Sequence, residues 1–200
     1  MAITRALILA STSPYRRDLM ERLRMPFETV APDVDERILP GESPPQMASR
    51  LALAKARAVA ARHPNAVVIG SDQVADLAGV AIGKPGDHER ATEQLASMSG
   101  RIVVFHTAVA VLCVASGFEA TALAPVTVRF RTLQAREIEN YLRAEMPYDC
   151  AGSAKSEGLG ITLLEAIESD DPTALIGLPL IRTCALLRRA GIDVLAGAGA

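Results

Sequence analysis

Several residue types are scarce in this 200-residue chain, and each scarcity narrows the class of protein. Tryptophan is absent and aromatic residues make up only 4% of the chain, so a core must be built mainly from aliphatic side chains. The three cysteines are too few for a disulfide framework and are too far apart for a paired-cysteine metal motif. Because the N-terminus also lacks a signal-peptide pattern, we expect a cytoplasmic protein.

An excess of charge of one sign is also missing. The formal net charge is −2, which argues against a general coating of nucleic acid or of an acidic membrane surface. The longest apolar stretch, residues 102–115, is interrupted by His106 and Thr107 and is shorter than the roughly 20 residues of a membrane helix. We therefore expect no nucleic-acid partner and no membrane span, and any phosphate binding has to come from a few placed cations.

What is present is typical of a globular mixed α/β protein. Hydrophobic residues make up 50% of the chain and charged residues 22%, and no linker divides it, so residues 1–200 are predicted to form a single domain. Apolar runs and helical spacing alternate along the chain. The predicted strands lie at 6–10, 27–30, 66–70, 101–115 and 118–131, and the predicted helices at 14–24, 45–62, 87–98, 134–145 and 178–190, before a short Ala/Gly tail.

The first polar cluster follows the first apolar run and reads STSPYRR, residues 11–17. Ser13 is predicted to cap a helix that begins at Pro14. A helix N-terminus behind a strand offers free N–H groups and the positive end of the helix dipole, which suits a phosphate. Arg16 and Arg17 are unfavourable there without an anion, and arginine matches phosphate oxygens well. The alternative is that Ser13 only caps the helix and that both arginines face solvent.

Carboxylates follow two further apolar segments. The sequence DVDE at 33–36 and Asp72 after the run VVIGS are suited to Mg²⁺ or Mn²⁺ held against substrate phosphates. For DVDE alone a solvated acidic turn is the simpler interpretation, whereas Asp72 is expected at the sheet edge and partly desolvated. Lys55 and Lys84 are able to neutralise phosphate charge, although a single lysine usually lies at the surface.

Six sequence blocks together resemble a known family. In chain order they are LILASTSPYRR, APDVDE, LALAKA, IGSDQV, GKP and AGSAKSEGLGI. From Leu7 to about Arg189 the chain is similar to the Maf family of nucleotide pyrophosphatases. The resemblance implies a mixed, elongated β-sheet flanked by helices, with two lobes around a central cleft, usually as a homodimer. It also implies a house-cleaning reaction with Mg²⁺ or Mn²⁺, in which a nucleoside triphosphate is cleaved to its monophosphate and pyrophosphate.

The resemblance implies roles for individual residues as well. Asp72 corresponds to the family's proposed general base, and Glu36 would share with it the holding of the metal, since a carboxylate can serve as base or as ligand. Lys55, Lys84 and Arg16 would clamp the phosphates. The other residues expected to bind substrate are Ser11, Ser13, Tyr15, Arg17, Gln73, Lys155 and Glu157.

Three positions indicate which nucleobase the substrate carries. Family members that act on dTTP or UTP typically have Arg, Thr and Gln where this chain has Tyr15, Gln73 and Glu157, a set that resembles the subfamily hydrolysing 7-methyl-GTP. The methylated base is cationic, so an aromatic face and a carboxylate complement it. The simpler interpretation is a packed Tyr15 and an exposed acidic Glu157.

Two other functions remain open. One is a dTTP/UTP pyrophosphatase of the same family, and the other is a non-catalytic nucleotide-binding regulator of septum formation. Carboxylates suited to a metal beside cations suited to phosphate favour an enzyme over a binder.

Overall fold

The computed structural model describes residues 5–196, and the last four residues of the predicted Ala/Gly tail lie outside them. As predicted, the chain is mixed α/β. The strands are β1 Leu7–Ala10, β2 Glu28–Thr29, β3 Val67–Leu77, β4 Val80–Ile82, β5 Ile102–Cys113, β6 Phe118–Phe130 and β7 Leu164–Glu168. The helices are α1 Pro14–Glu21, α2 Pro44–Ala60, α3 His88–Met98, α4 Ala135–Glu145 and α5 Leu180–Arg189. None of the helices described is long and apolar enough to span a bilayer.

Local sequence explains where the helices begin. Ser13 caps α1 by accepting a hydrogen bond from the Arg16 N–H at 3.4 Å, and Pro14 supplies the first helical residue. In α2, the Ser43 N–H donates to the side chain of Gln46 at 2.9 Å, which completes a capping box. A similar box involving Gln134 begins α4. Each cap satisfies N–H groups that a helix end would otherwise leave without a partner.

The strands form one mixed sheet in the order β2-β1-β3-β5-β6-β7, with β4 paired to β3. β1 runs parallel to β2 and β3, while all the other neighbours are antiparallel. β3 is the central element because its first residues, 67–70, pair with β1 and its last, 75–77, pair with β4. The long strands β3, β5 and β6 therefore join two halves of an elongated sheet, as the resemblance implied.

Three apolar clusters lie on this sheet. α2 covers one face of the first half, while α1 and α5 cover the opposite face. α3 and α4 pack on the second half. The cluster under α1 and α5 and the cluster under α3 and α4 lie on the same face of the sheet. Between them, a row of polar side chains on β3 and β5 contacts the backbone of residues 174–177, namely Ser71, Gln73 and Thr107. The connection before α5 is thereby held against the middle of the sheet.

Gly70 allows α2 to lie directly on β3. A Cβ at this position would collide with the Ala52 carbonyl oxygen and would lie 2.6 Å from the Ala56 backbone nitrogen. Since both are helix backbone atoms, the helix could not yield by a side-chain rotation. The absence of a side chain at Gly70 thus sets the distance between α2 and the strand that carries Asp72.

Two predicted boundaries were wrong and two strands were missed. β3 does not end at Gly70 but continues through Asp72 to Leu77, because Ser71 and Asp72 find polar partners inside the fold. The prediction missed β4 and β7, which are short and largely unburied, so neither leaves a clear apolar pattern. α1 ends at Glu21 rather than near Arg24, whose φ of +52° is incompatible with a continued helix.

Candidate active site

A polar cleft opens where α1 begins, beside β3 and the segment 149–157. Ten of the residues predicted to act on substrate line it, namely Ser11, Ser13, Tyr15, Arg16, Glu36, Lys55, Gln73, Lys84, Lys155 and Glu157. Asp72 lies next to this set, is 7% exposed and accepts a hydrogen bond from Lys55 at 2.6 Å. The cleft therefore collects residues from most of the length of the chain.

The centre of the cleft is a lysine shared by two carboxylates. Lys55 of α2 donates to the Asp72 carboxylate of β3 at 2.6 Å, and its ammonium lies 2.7 Å from the Glu36 carboxylate. Lys55 and Asp72 are almost completely buried, with 5% and 7% exposure, whereas Glu36 is exposed on the loop before α2. Because α2 rests on Gly70, two residues before Asp72, the packing of helix on strand fixes this contact.

The two carboxylates differ in proton affinity. Burial raises the pKa of Asp72 above the ordinary value for aspartate, and the charges of Lys55 and Arg16 only partly oppose that shift. Partial burial also acts to raise the pKa of Glu36, but the hydrogen bond from Lys55 and the charges of Lys55, Lys84 and Arg16 outweigh it, so the net shift is downward. The site thus raises the proton affinity of Asp72 and lowers that of Glu36 relative to their ordinary values.

Arg16 is held inside the cleft by the backbone. Its Nε donates to the Gly177 carbonyl oxygen at 2.8 Å, and the Ser71 hydroxyl lies 3.0 Å from the same oxygen. Burial lowers the pKa of Arg16, and the charges of Asp72 and Glu36 partly restore it. The segment that ends at Gly177 thus fixes the direction of this guanidinium relative to Asp72.

The first polar cluster, residues 11–17, was predicted either to bind phosphate or only to cap α1 with both arginines facing solvent, and the structure places its residues differently from one another. Arg17 lies outside the cleft, exposed on α1, with its guanidinium 3.7 Å from both Asp18 and Glu21. For this residue the prediction of substrate contact is not supported, because helical geometry turns successive side chains by about 100° and only one of the two arginines can face the sheet. The Ser11 side chain instead orders the turn into α1 by accepting from the Ser13 N–H at 3.1 Å.

The opposite end of the cleft surrounds Tyr15. The Tyr15 hydroxyl donates to the Asp149 carboxylate at 3.4 Å, and the Cys150 sulfur lies 3.9 Å from the same hydroxyl. The Lys155 ammonium lies 5.6 Å from the centre of the Tyr15 ring, within cation–π range. Glu157, on the same loop as Lys155, also lines the cleft and is exposed.

At this end of the cleft the pKa values of Tyr15 and Cys150 are both raised, so both side chains are uncharged at neutral pH. Burial, followed by the neighbouring Cys150 and Asp149, raises the pKa of the Tyr15 phenol. Burial, followed by the charge of Asp149, raises the pKa of the Cys150 thiol to about 12. A thiol with such a pKa is protonated at neutral pH, so Cys150 is not a ready nucleophile.

The amide of Gln73 is already engaged within the protein. Its Nε2 lies 2.9 Å from the Thr107 hydroxyl and from the carbonyl oxygens of Ala174 and Leu175. The side chain still lines the floor of the cleft. Gln73 therefore fastens the 174–177 segment that orients Arg16.

Sequence reasoning missed three groups that shape the site. They are Asp149 beside Tyr15, Glu145 beside Lys155, and the Gly177 carbonyl that orients Arg16. Asp149 and Glu145 belong to no recognisable motif. The only signal was their position immediately before the Gly- and Ser-rich segment that begins at Ala151.

Together the fold and cleft define an α/β protein whose sheet carries a site of clustered cations and paired carboxylates, an arrangement suited to a phosphate chain. The chain belongs to the Maf family, since the model for Maf-like proteins matches residues 6–190. This confirms the family predicted from the six sequence blocks.

Several similar proteins are named 7-methyl-GTP pyrophosphatase. One from Polaromonas sp. (strain JS666) is 66% identical over 196 residues, which cover 98% of this chain and 90% of that relative. One from Xanthomonas campestris pv. campestris is 60% identical over 94% of this chain and 97% of its own length. One from Bordetella pertussis is 58% identical over 98% of both chains.

Proposed function

We propose that this protein hydrolyses 7-methyl-GTP between its α- and β-phosphates, producing the nucleoside monophosphate and pyrophosphate. The observation that carries the proposal is the division of one cleft into two ends. One end holds Arg16, Lys55 and Lys84 near two carboxylates, and the other holds an aromatic ring beside acidic side chains. The names of the similar proteins support the same substrate.

Asp72 has the properties of the base in this reaction. A water oxygen attacks the α-phosphorus in line, the bond from that phosphorus to the bridging oxygen breaks, and the water proton passes to the Asp72 carboxylate. The upward pKa shift of Asp72, caused mainly by burial, increases the proton affinity of this carboxylate, as a general base requires. Lys55 donates to this carboxylate at 2.6 Å and also lines the cleft, so the base and a phosphate-binding cation would lie side by side.

The cations serve the leaving group. Pyrophosphate departs with additional negative charge, which positioned cations stabilise most strongly where water is partly excluded. Arg16 and Lys55 are largely withdrawn from solvent, and Lys84 lies on the exposed rim of the same cleft. Arg16 offers its remaining N–H groups as a fork, since only Nε is used by Gly177.

The paired carboxylates fit a divalent cation. Glu36 and Asp72 both contact one ammonium, so their oxygens converge on a position that is suited to positive charge. Mg²⁺ is commonly held by one or two carboxylates together with substrate phosphates and water. Among residues 5–196 no group of three or more His, Cys, Asp and Glu side chains is placed to hold a metal, so substrate oxygens would complete the ligand set. When bound, Mg²⁺ or Mn²⁺ would neutralise phosphate charge.

The base end suits a cationic purine. The Tyr15 ring offers a face for stacking and for cation–π attraction, and the Glu157 carboxylate is able to accept hydrogen bonds from the guanine N1–H and amino groups. An uncharged base would gain the stacking but less of the electrostatic attraction. This difference supports 7-methyl-GTP over UTP or dTTP as the preferred substrate.

The cellular location and the oligomeric state of the protein are part of the same proposal. A house-cleaning enzyme for modified nucleotides would work in the cytoplasm, and the family resemblance supports a homodimer. Sedimentation analysis should then give twice the 21.2 kDa chain mass. A mass of one chain at micromolar concentration would contradict the homodimer alone.

The reaction is tested by its products. We expect 7-methyl-GTP with Mg²⁺ or Mn²⁺ to give monophosphate and pyrophosphate in equal amounts. In water labelled with heavy oxygen, the label should enter the monophosphate, because attack occurs at the α-phosphorus. Label in the pyrophosphate, or release of inorganic phosphate alone, would contradict the reaction. Binding of the nucleotide without turnover would instead support the regulator.

A further inference from the structure

The base end of the cleft carries more acid than the three predicted specificity residues supply. Asp149 and Glu157 are both exposed and both line the cleft near Tyr15. Sequence reasoning assigned the carboxylate contact to Glu157 alone. Asp149 is nevertheless the one whose carboxylate contacts the Tyr15 hydroxyl, at 3.4 Å.

The nearby lysine does not cancel this negative charge. The Lys155 ammonium lies 3.0 Å from the Glu145 carboxylate, which also accepts from the Leu159 N–H at 2.8 Å. Glu145 is only 13% exposed in its side chain and Lys155 28%, so the pair is partly desolvated and internally neutral. Asp149 and Glu157 are therefore left as the net charge at this end. The raised pKa of Cys150, to which both acids contribute after burial, is consistent with that negative potential.

We propose that Asp149 is a specificity-determining residue that selects the positive charge of a 7-methylated purine; this rests on the proposed function. A base placed against the Tyr15 ring lies within a few ångströms of the carboxylate bound to the hydroxyl of that ring. The attraction acts through charge, so it distinguishes 7-methyl-GTP from GTP, which differ by one methyl group and one positive charge. Tyr15 and Glu157 also provide stacking and hydrogen bonds that neutral guanine uses, whereas we expect Asp149 to act on the base mainly through its charge.

The contact with Tyr15 also keeps the Asp149 carboxylate close to the aromatic ring. The phenol remains protonated because its pKa is raised, so it donates to Asp149 throughout the neutral range. A carboxylate held by a donor close to the ring loses less freedom on binding a cation than an unattached surface acid does. The arrangement resembles an aromatic cation site with a carboxylate at its edge.

The test first removes the charge of Asp149 with little change in the size of the side chain, and then reverses the charge. In Asp149→Asn the side chain still accepts from Tyr15 but carries no charge, and in Asp149→Lys the charge is reversed. We expect the ratio of kcat/KM for 7-methyl-GTP over GTP, measured at slightly acid pH and low salt, to fall about three- to tenfold in the first variant and further in the second. The loss should be mainly in KM, because the base is remote from the reacting phosphorus.

Asp18→Asn is the matched control, since Asp18 is an exposed aspartate of α1 outside the cleft. Its ratio should equal that of the unmodified protein. A ratio unchanged in both Asp149 variants would overturn the inference and leave the proposed function intact. If the unmodified protein does not prefer 7-methyl-GTP, it is the substrate proposal that fails.

Discussion

The two ends of the cleft, which we propose to hold the phosphates (the phosphate end) and the nucleobase (the base end), are built from different kinds of structure. At the phosphate end, Lys55 comes from the middle of a helix and Asp72 from the middle of a strand, and both are nearly buried. At the base end, Asp149 and Glu157 come from the irregular segment between α4 and β7, and both are exposed. Tyr15 and its neighbour Arg16, in the first turn of α1, contribute one side chain to each end.

This division suits the two tasks. Groups that take part in bond cleavage need fixed positions, and packed helices and strands supply them. Groups that distinguish one base from another are carried on connecting segments, which accept substitution at small cost to the fold. Substitutions at the phosphate end should therefore change turnover and stability, whereas those at the base end should change substrate preference.

The largest effect is expected at Asp72. Asp72→Asn keeps a hydrogen-bond acceptor for Lys55 but removes the proton acceptor, so kcat should fall by about 100- to 10,000-fold. Circular dichroism and thermal melting should show a folded protein. Near-normal turnover in the folded variant would exclude Asp72 as the base.

The next largest effect is expected at Lys55. Lys55→Met removes the nearest positive charge from Asp72, so the pKa of this buried carboxyl should rise further above its ordinary value. Because activity requires the ionised carboxylate, the acid limb of the pH profile should move to higher pH, and kcat/KM should fall about ten- to a hundredfold.

Lys84→Met provides the comparison for this shift. Lys84 lines the cleft and its charge acts on Glu36, but it is not among the main influences on the pKa of Asp72. Its loss should lower activity while leaving the acid limb where it is. An acid limb that moves equally in both variants would contradict the assignment of Asp72 to that limb.

A third prediction concerns the support behind the phosphate end. Gly70→Ala places a methyl group against the backbone of α2, so it should reduce the free energy of unfolding by about 1–3 kcal/mol or more. Turnover should fall as well, because the helix carries Lys55. Denaturant titration measures the first effect. Gly83→Ala, where a methyl group meets open space, should leave the stability nearly unchanged.

The smallest effect is expected at the base end. Glu157→Gln removes one carboxylate from the cleft but keeps a hydrogen-bond acceptor for guanine, so the preference for 7-methyl-GTP over GTP should decrease by only about two- to threefold, less than in Asp149→Asn, with little change in kcat for either nucleotide. Steady-state kinetics with both nucleotides measures this. A loss of kcat comparable to that of Asp72→Asn would show that the two ends are not separate.

Much of the fold was predictable because its elements have strong local patterns. Aliphatic runs identified β1, β3, β5 and β6, and the Ser13 cap followed by Pro14 identified the start of α1. β4 and β7 escaped because their three and five residues are mostly unburied and gain their regularity only from pairing with neighbours.

The residue types of the site were also predictable, but their contacts were not. Short blocks identified Lys55, Asp72 and Glu36, yet the ammonium between the two carboxylates depends on the packing of α2 over Gly70. Similarly, only the fold separates Arg16 from Arg17. Asp149 is proposed as a specificity residue because the fold brings it to Tyr15, and no local sequence pattern predicts that contact.

The most direct test of the divided cleft is a comparison of pyrophosphate release from 7-methyl-GTP, GTP, UTP, dTTP and CTP at equal concentration with Mg²⁺ or Mn²⁺. We predict the highest kcat/KM for 7-methyl-GTP, a lower value for GTP, and the lowest values for the pyrimidine nucleotides. A preference for UTP or dTTP would contradict the assignment of the base end while leaving the Asp72 chemistry in place. Absence of pyrophosphate release from all five nucleotides would contradict the account as a whole.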